Sequence, residues 1–323
     1  MKLKMLTAAT ILSASFGATS AYADCGGVSI TEMDWASGAV VTGIANFLMT
    51  QGYGCDVTIV PSSTNPALTS LAETGEPDIL TELWSSSTPA YGPLLAEGKL
   101  VELAEVLSEG AVEAWFIPQY LADSNPELTT IEGVLANPAA VGGRFHDCPQ
   151  GWACEKINKN NLIALDTEAQ GLERFVHGSG ETLQTSIAAA YDEKAPWFGY
   201  YWAPTAVIGK YPLVAVKMPD YDADAHSCNS NEDCASPIAS SYPKAKVVTA
   251  ASSAFVAREP EVADMLRNMS FTNAQMNDVL AWRLDSNASN EEAAVYFLTT
   301  YKDVWANWLS EEAKAKLGAI LAN

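Results

Sequence analysis

The sequence predicts an α/β protein of two lobes, each a mainly parallel sheet flanked by helices, with a cleft between them. Three observations carry that expectation. The chain has 323 residues, more than one core usually organises. Strand-like apolar runs alternate with segments of helical periodicity in both halves, the pattern of parallel sheets joined by crossover helices. The run Val247-Val-Thr-Ala-Ala-Ser-Ser-Ala-Phe-Val256 then reads as a strand returning to the first half. Two chain passages between lobes make a hinge rather than a simple linker. The expected division is residues 24–120 plus 246–323 for lobe 1 and 121–245 for lobe 2.

The elements follow in order. Val28-Ser-Ile-Thr-Glu-Met33 is a strand. Val40, Val41, Ile44, Phe47 and Leu48 then fall at helical spacing, with Gly52 as the expected stop. Asp56-Val-Thr-Ile-Val60 is the second strand, and Ser63-Thr-Asn-Pro66 starts a helix that ends at Gly75. The third strand, Asp78 to Trp84, runs into Ser85-Ser-Ser-Thr-Pro89. Such a βαβαβ order collects binding groups at the carboxyl ends of its strands. The second lobe repeats the alternation between Phe116-Ile-Pro-Gln-Tyr120 and Ser241-Tyr-Pro-Lys244. Four helical stretches are expected from Glu259 to Leu321, with Trp282, Trp305 and Trp308 on their core faces.

Residues 1–23 read as a secretory signal peptide. Lys2 and Lys4 precede the short apolar stretch Leu6–Phe16, and Ala21-Tyr22-Ala23 supplies the small-x-small cleavage pattern. Cleavage after Ala23 delivers the chain to the periplasm. Asp24 stands before Cys25, which argues against a lipoprotein. No later run reaches the roughly eighteen apolar residues of a membrane helix. The chain carries 18 Lys+Arg against 39 Asp+Glu, a net charge of −21. That balance excludes a general nucleic-acid binder and docking on anionic lipid, both of which need clustered cations. A monomer is expected.

Six cysteines in an exported chain are expected to form three disulfides, for which sequence alone permits fifteen connectivities. Cys148 and Cys154 bracket Pro-Gln-Gly-Trp-Ala, and Cys228 and Cys234 bracket Asn-Ser-Asn-Glu-Asp, so each pair can close a small loop. Cys25 and Cys55 each precede a strand, and adjacent parallel strands place both at one end. The predicted bridges are Cys25–Cys55, Cys148–Cys154 and Cys228–Cys234. In the last loop, Asn231, Glu232 and Asp233 are candidate ligands for a calcium ion, which favours carboxylate and carbonyl oxygens.

Catalytic signatures are missing. There is no GxSxG, HExxH or Walker loop, and Ser241-Tyr-Pro-Lys244 matches SxxK without its companion motifs. His146, His177 and His226 are scattered and read as surface or loop residues. The chain is therefore expected not to be an enzyme and to need no cofactor. An exported hydrolase using an acid pair, or a carbohydrate-binding protein, is the alternative of another class.

Nine tryptophans are the informative excess. Trp35 and Trp84 end strands, Trp152 lies inside a disulfide loop, and Trp202 lies in Trp197-Phe-Gly-Tyr-Tyr-Trp-Ala-Pro204. Indole faces attract cations within about 6 Å, each contact worth about 0.5–2 kcal/mol. A box of them suits a quaternary ammonium head, whose methyls donate no strong hydrogen bond. Glu32, Asp34 and Glu82 stand nearby in sequence, and a regular strand turns Glu82 and Trp84 to one side.

These residues carry a resemblance. Cys148-Pro-Gln-Gly-Trp-Ala-Cys154-Glu155 resembles the disulfide loop, with its Gly-Trp-Gly-Cys-Glu centre, of the periplasmic substrate-binding proteins of glycine betaine/proline betaine ABC importers. Tyr200-Tyr-Trp-Ala-Pro204 is similar to their Tyr-Thr-Trp-Thr-Pro element, and Trp84 falls where they have Trp-Phe-Pro. The likeness spans the mature chain and is closest in appearance to the trimethylamine N-oxide binders of marine bacteria. It implies a type II two-lobed periplasmic binding protein with its ligand in the cleft. Trp84, Trp152 and Trp202 would clasp a trimethylammonium group, joined on position by Trp35. Ala153 and Cys154 would offer backbone N–H groups, and Glu82 would meet the ligand's polar end. Where the betaine binders have a carboxylate-holding His, this chain has Thr88. That departure favours trimethylamine N-oxide over glycine betaine, with choline or dimethylsulfoniopropionate as alternatives. The implied partners are an inner-membrane ABC permease and its cytoplasmic ATPase.

Overall fold

The computed structural model describes residues 25–321. In chain order its strands are β1 (Gly27–Met33), β2 (Asp56–Ser62), β3 (Ile79–Trp84), β4 (Leu100–Glu105), β5 (Val112–Pro118), β6 (Arg144–Asp147), β7 (Glu173–Val176), β8 (Gly199–Ala203), β9 (Leu213–Ala215) and β10 (Val247–Ser252). They form two five-stranded sheets, ordered β2-β1-β3-β10-β4 and β7-β6-β8-β5-β9. In the first, β1 is parallel to β2 and β3, while β10 is antiparallel to both β3 and β4. The second repeats this plan, with β5 as the antiparallel member between β8 and β9. Helices flank both sheets, giving two similar α/β lobes.

Local chemistry explains most element boundaries. All six residues of β3 are buried, the polar Thr81 and Glu82 included, so the strand is covered on both faces. Val40, Val41, Ile44 and Leu48 bury one face of helix Ala36–Tyr53. That helix runs past the expected stop at Gly52, and Gly54 closes it by donating to the carbonyls of Met49 and Thr50. The expected long return strand is shorter: Ser252 accepts from the N–H of Phe255 at 3.1 Å and starts helix Ser253–Arg258. The region after 259 is cut more finely than four helices, because Thr272 with Gln275 and Ser289 with Glu292 form capping boxes. Trp305 and Trp308 are buried there, and Trp282 stacks on Tyr296 at 4.5 Å.

The boundary expected at residue 120 needs correction. Val112–Phe116 pairs with Gly199–Ala203, so β5 belongs to the second sheet and the chain leaves the first lobe before residue 112. A break in hydrophobicity near Pro118 does not reveal this, because sheet membership is set by hydrogen-bond partners distant in sequence. The two passages run side by side: Ala111 and Ala245 exchange backbone hydrogen bonds of 2.9 and 3.0 Å. Gly110, at φ +69°, sits in this junction, and a Cβ there would lie 2.9 Å from the carbonyl oxygen of Ala245. Gly110→Ala is therefore expected to cost about 1–3 kcal/mol, read as a lower urea midpoint.

The disulfides Cys25–Cys55, Cys148–Cys154 and Cys228–Cys234 are all present. The first staples the starts of the neighbouring parallel strands β1 and β2. Among the described residues no helix is long and apolar enough to cross a membrane. The expected signal peptide, residues 1–23, lies outside the described residues.

Candidate functional site

Four tryptophans from both lobes meet in the cleft. Trp35 follows β1 and precedes helix Ala36–Tyr53, and Trp84 is the last residue of β3. Trp152 precedes helix Ala153–Ala164, and Trp202 lies near the end of β8. The ring of Trp152 stands edge-on to both Trp35 and Trp202, with centroids 5.1 Å apart in each case. Tyr200 stacks beside Trp202 at 6.2 Å. Together with Thr64, Glu113, Ala153 and Cys154 these rings line a cavity with about 290 Å³ of atom-free space. The four tryptophans are only 4–7 % exposed, because they close on one another across the cleft.

The loop carrying Trp152 is braced from below. Asp147, at the end of β6, accepts from the backbone N–H of Cys148 at 2.7 Å and from Asn158 Nδ2 at 2.6 Å. Arg174 reaches Asp147 and Glu155, each at 2.6 Å. Burial pushes the Asp147 carboxyl up to about 6, with Arg174 and Asn158 opposing that rise. The Cys148–Cys154 bridge closes the same turn. Gly151, at φ +91°, lets the loop approach the first lobe, where a Cβ would lie 2.6 Å from Ser63 Oγ. Asn65 donates across the cleft to the carbonyls of Gly151 and Trp152, at 3.1 and 3.3 Å.

Two buried acids flank the tryptophans. Glu113, from β5, accepts from Tyr200 Oη at 2.7 Å and from Ser87 Oγ of the other lobe at 2.8 Å. It lines the cavity, and burial pushes its carboxyl up to about 7 despite those two donors. Glu82 is fully buried behind Trp35, accepting from Trp35 Nε1 at 2.7 Å and Ser37 Oγ at 2.6 Å. Burial also raises it to about 7, with Ser37, Trp35 and Trp84 offsetting part of the rise. The Trp84 indole is near enough to be felt, yet Glu82 Oε2 has no partner in hydrogen-bonding geometry.

The cavity thus brings together Trp35, Trp84, Trp152, Ala153, Cys154 and Trp202 of the sequence-derived set. Glu82 does not line it, which corrects the expectation of a regular strand. Leu83 pairs with Val248 and Leu80 with Ala250, so Thr81 and Glu82 share the place opposite Thr249. At this irregularity Glu82 takes φ +48° and turns away. Thr88 is buried and donates to the carbonyl of Trp84 at 2.8 Å. Sequence reasoning missed Glu113; an acid inside the apolar run Val112-Glu-Ala-Trp-Phe-Ile117 is the signal that could have found it.

The calcium expectation also needs correction. Glu232 is engaged by Lys159 Nζ at 2.6 Å, and the Asn231 amide donates to the carbonyl of Ser227 at 2.7 Å. Among the described residues no three His, Cys, Asp or Glu side chains converge as a metal site. His177 and His226 are buried rather than superficial, and His146 Nδ1 lies 2.9 Å from His177 Nε2.

Comparison with known proteins adds a family. The sequence profile of the substrate-binding domain of ABC-type glycine betaine transport systems matches residues 26–300. A choline-binding ABC-transporter protein in complex with choline is similar over 92 % of this chain and 98 % of its own, with TM-score 0.73 and 18 % identity. A glycine betaine/L-proline-binding protein from Borrelia burgdorferi is similar over 90 % and 99 %, with TM-score 0.73 and 13 % identity. Lactococcal OpuAC, closed on glycine betaine, is similar over 88 % and 100 %, with TM-score 0.68 and 16 % identity. These likenesses establish the two-lobed binding-protein fold.

Proposed function

The chain belongs to the family of substrate-binding domains of ABC-type glycine betaine transport systems, and from that premise we propose that it captures a small methylated amine between its lobes and delivers it to an ABC permease. The observation that carries this reading is the cavity walled by Trp35, Trp84, Trp152, Trp202 and Tyr200 around one buried carboxyl, Glu113. Indole faces attract the diffuse charge of a trimethylammonium group and ask no hydrogen bonds of its methyls. Glu113 supplies the counter-charge. Ala153 and Cys154 open helix Ala153–Ala164, and the first N–H groups of a helix lack partners within it. They suit a small anionic oxygen at the other end of the ligand.

Position 88 then selects among methylated amines. Thr88 is turned to the Trp84 carbonyl, so no cation stands ready for a carboxylate at that position. Trimethylamine N-oxide, with a single oxygen on its nitrogen, is the preferred ligand and glycine betaine the next. No bond is made or broken. The ligand touches walls from both lobes, so it stabilises the closed arrangement over the open one, and only the occupied form is offered to the permease.

Calorimetric titration of residues 24–323 tests this reading. Trimethylamine N-oxide is expected to bind one to one and more tightly than glycine betaine, choline or dimethylsulfoniopropionate, with maltose inert. Preference for another methylated compound would keep the cavity and replace the ligand. Silence toward all of them, or binding of maltose, would overturn the proposal.

A further inference from the structure

We infer that Asp34 is a positioning residue that couples closure of the lobes to assembly of the aromatic cavity, acting through the indole of Trp152. The inference rests on the cavity being the ligand site. Asp34 directly follows β1 in the first lobe, whereas Trp152 belongs to the second. Trp152 Nε1 donates to Asp34 Oδ1 at 2.7 Å, a hydrogen bond to a carboxylate across the cleft. The other indoles with defined partners are satisfied within their own lobes. Trp35 donates to Glu82, Trp115 to Asn158, Trp197 to Ser186 and Trp305 to the carbonyl of Leu298. Their orientations need no closure. That of Trp152 does.

The surroundings of Trp152 make its angle consequential. Its ring is the centre of the aromatic row, 5.1 Å from Trp35 on one side and from Trp202 on the other. Its far edge leaves little room at Gly180, where a Cβ would come within 3.2 Å of the Trp152 ring and 3.5 Å of the Asp34 carbonyl. The cross-cleft bonds from Asn65 reach only the backbone of Gly151 and Trp152, so they hold the loop but not the ring. Asp34 supplies the hydrogen bond that fixes the ring from the opposite lobe, beside the edge contact with Trp35. Burial raises its carboxyl, while the Trp152 hydrogen bond opposes the rise. When the lobes part, the indole loses its partner and the middle wall of the cavity loses its fixed angle.

The test uses the mature chain, with trimethylamine N-oxide as probe, or with glycine betaine or choline if wild type binds that more tightly. Asp34→Ala is expected to weaken binding at least tenfold, through faster dissociation with association little changed, and without lowering the thermal midpoint of the ligand-free protein. Asp34→Asn, whose amide oxygen accepts the same bond, recovers most of the loss. Trp152→Phe removes the donor along with part of the indole face. Combined with Asp34→Ala it should bind no more weakly than Trp152→Phe alone, because Asp34 acts only through that donor. If Asp34→Ala does not fold, Asp34→Leu, which fills the same space without an acceptor, is compared with Asp34→Asn instead. Affinity of Asp34→Ala within twofold of wild type, or losses that simply multiply in the double variant, would overturn the inference. A wild-type chain that binds no methylated amine defeats the cavity reading itself and removes this inference with it.

Discussion

Trp152→Ala is expected to weaken binding of the methylated amine about a hundredfold or more, the largest effect of any single substitution in the site. Truncating a buried aromatic anchor at the centre of a contact typically costs at least ~2 kcal/mol and often more, and each cation–π face contributes about 0.5–2 kcal/mol. Trp152 combines both roles, since its ring touches Trp35 and Trp202 and faces the same cavity. Trp202→Ala should follow with a smaller loss, because Tyr200 still backs that wall. Calorimetry on both variants, with unfolding monitored separately, checks this. Unchanged affinity in the pair would sink the aromatic-box assignment.

The second large effect belongs to Glu113 and is a matter of sign. Burial raises its carboxyl to about 7 in the ligand-free protein, so near neutrality it is only partly ionised. A trimethylammonium head favours the ionised form, so affinity should climb as pH rises toward about 7 and level off above it. Glu113→Gln should flatten that dependence and bind roughly tenfold or more weakly above neutrality, the scale of losing a charged partner. Affinity falling with pH would mean that the ligand's oxygen, not its cationic head, faces Glu113. Folding stability runs the other way. An unfolded carboxyl titrates near 4.5, whereas Glu82 and Glu113 titrate near 7 when folded. Between those values the folded chain holds more protons, so stability contributed by the neutral forms is lost as pH rises from about 4.5 to 7. Glu113→Gln should lessen that decline in unfolding measured at pH 5 and pH 8.

How much of this was legible in residue order differs by feature. The alternation of elements, the short disulfide loops and the placement of tryptophans after strands are local patterns, and their spacing reflects side-chain periodicity and loop closure over few residues. They pointed to two α/β lobes and to most of the cavity wall. Other features depend on partners far apart in the chain. β5 joins the second sheet because its hydrogen bonds go to Gly199–Ala203, not because its composition differs from the strands before it. Glu82 leaves the cavity because of an irregular pairing opposite Thr249, which no period-two pattern reveals. Glu113 enters it because two lobes fold together and bring Ser87 and Tyr200 to its carboxyl from residues 26 and 87 positions away. Asp34 meets Trp152 across 118 residues for the same reason. The chemistry proposed for the ligand's head comes from residue types. The closing of one lobe on the other chose which acids face it, because burial and hydrogen bonding act through space and not along the chain.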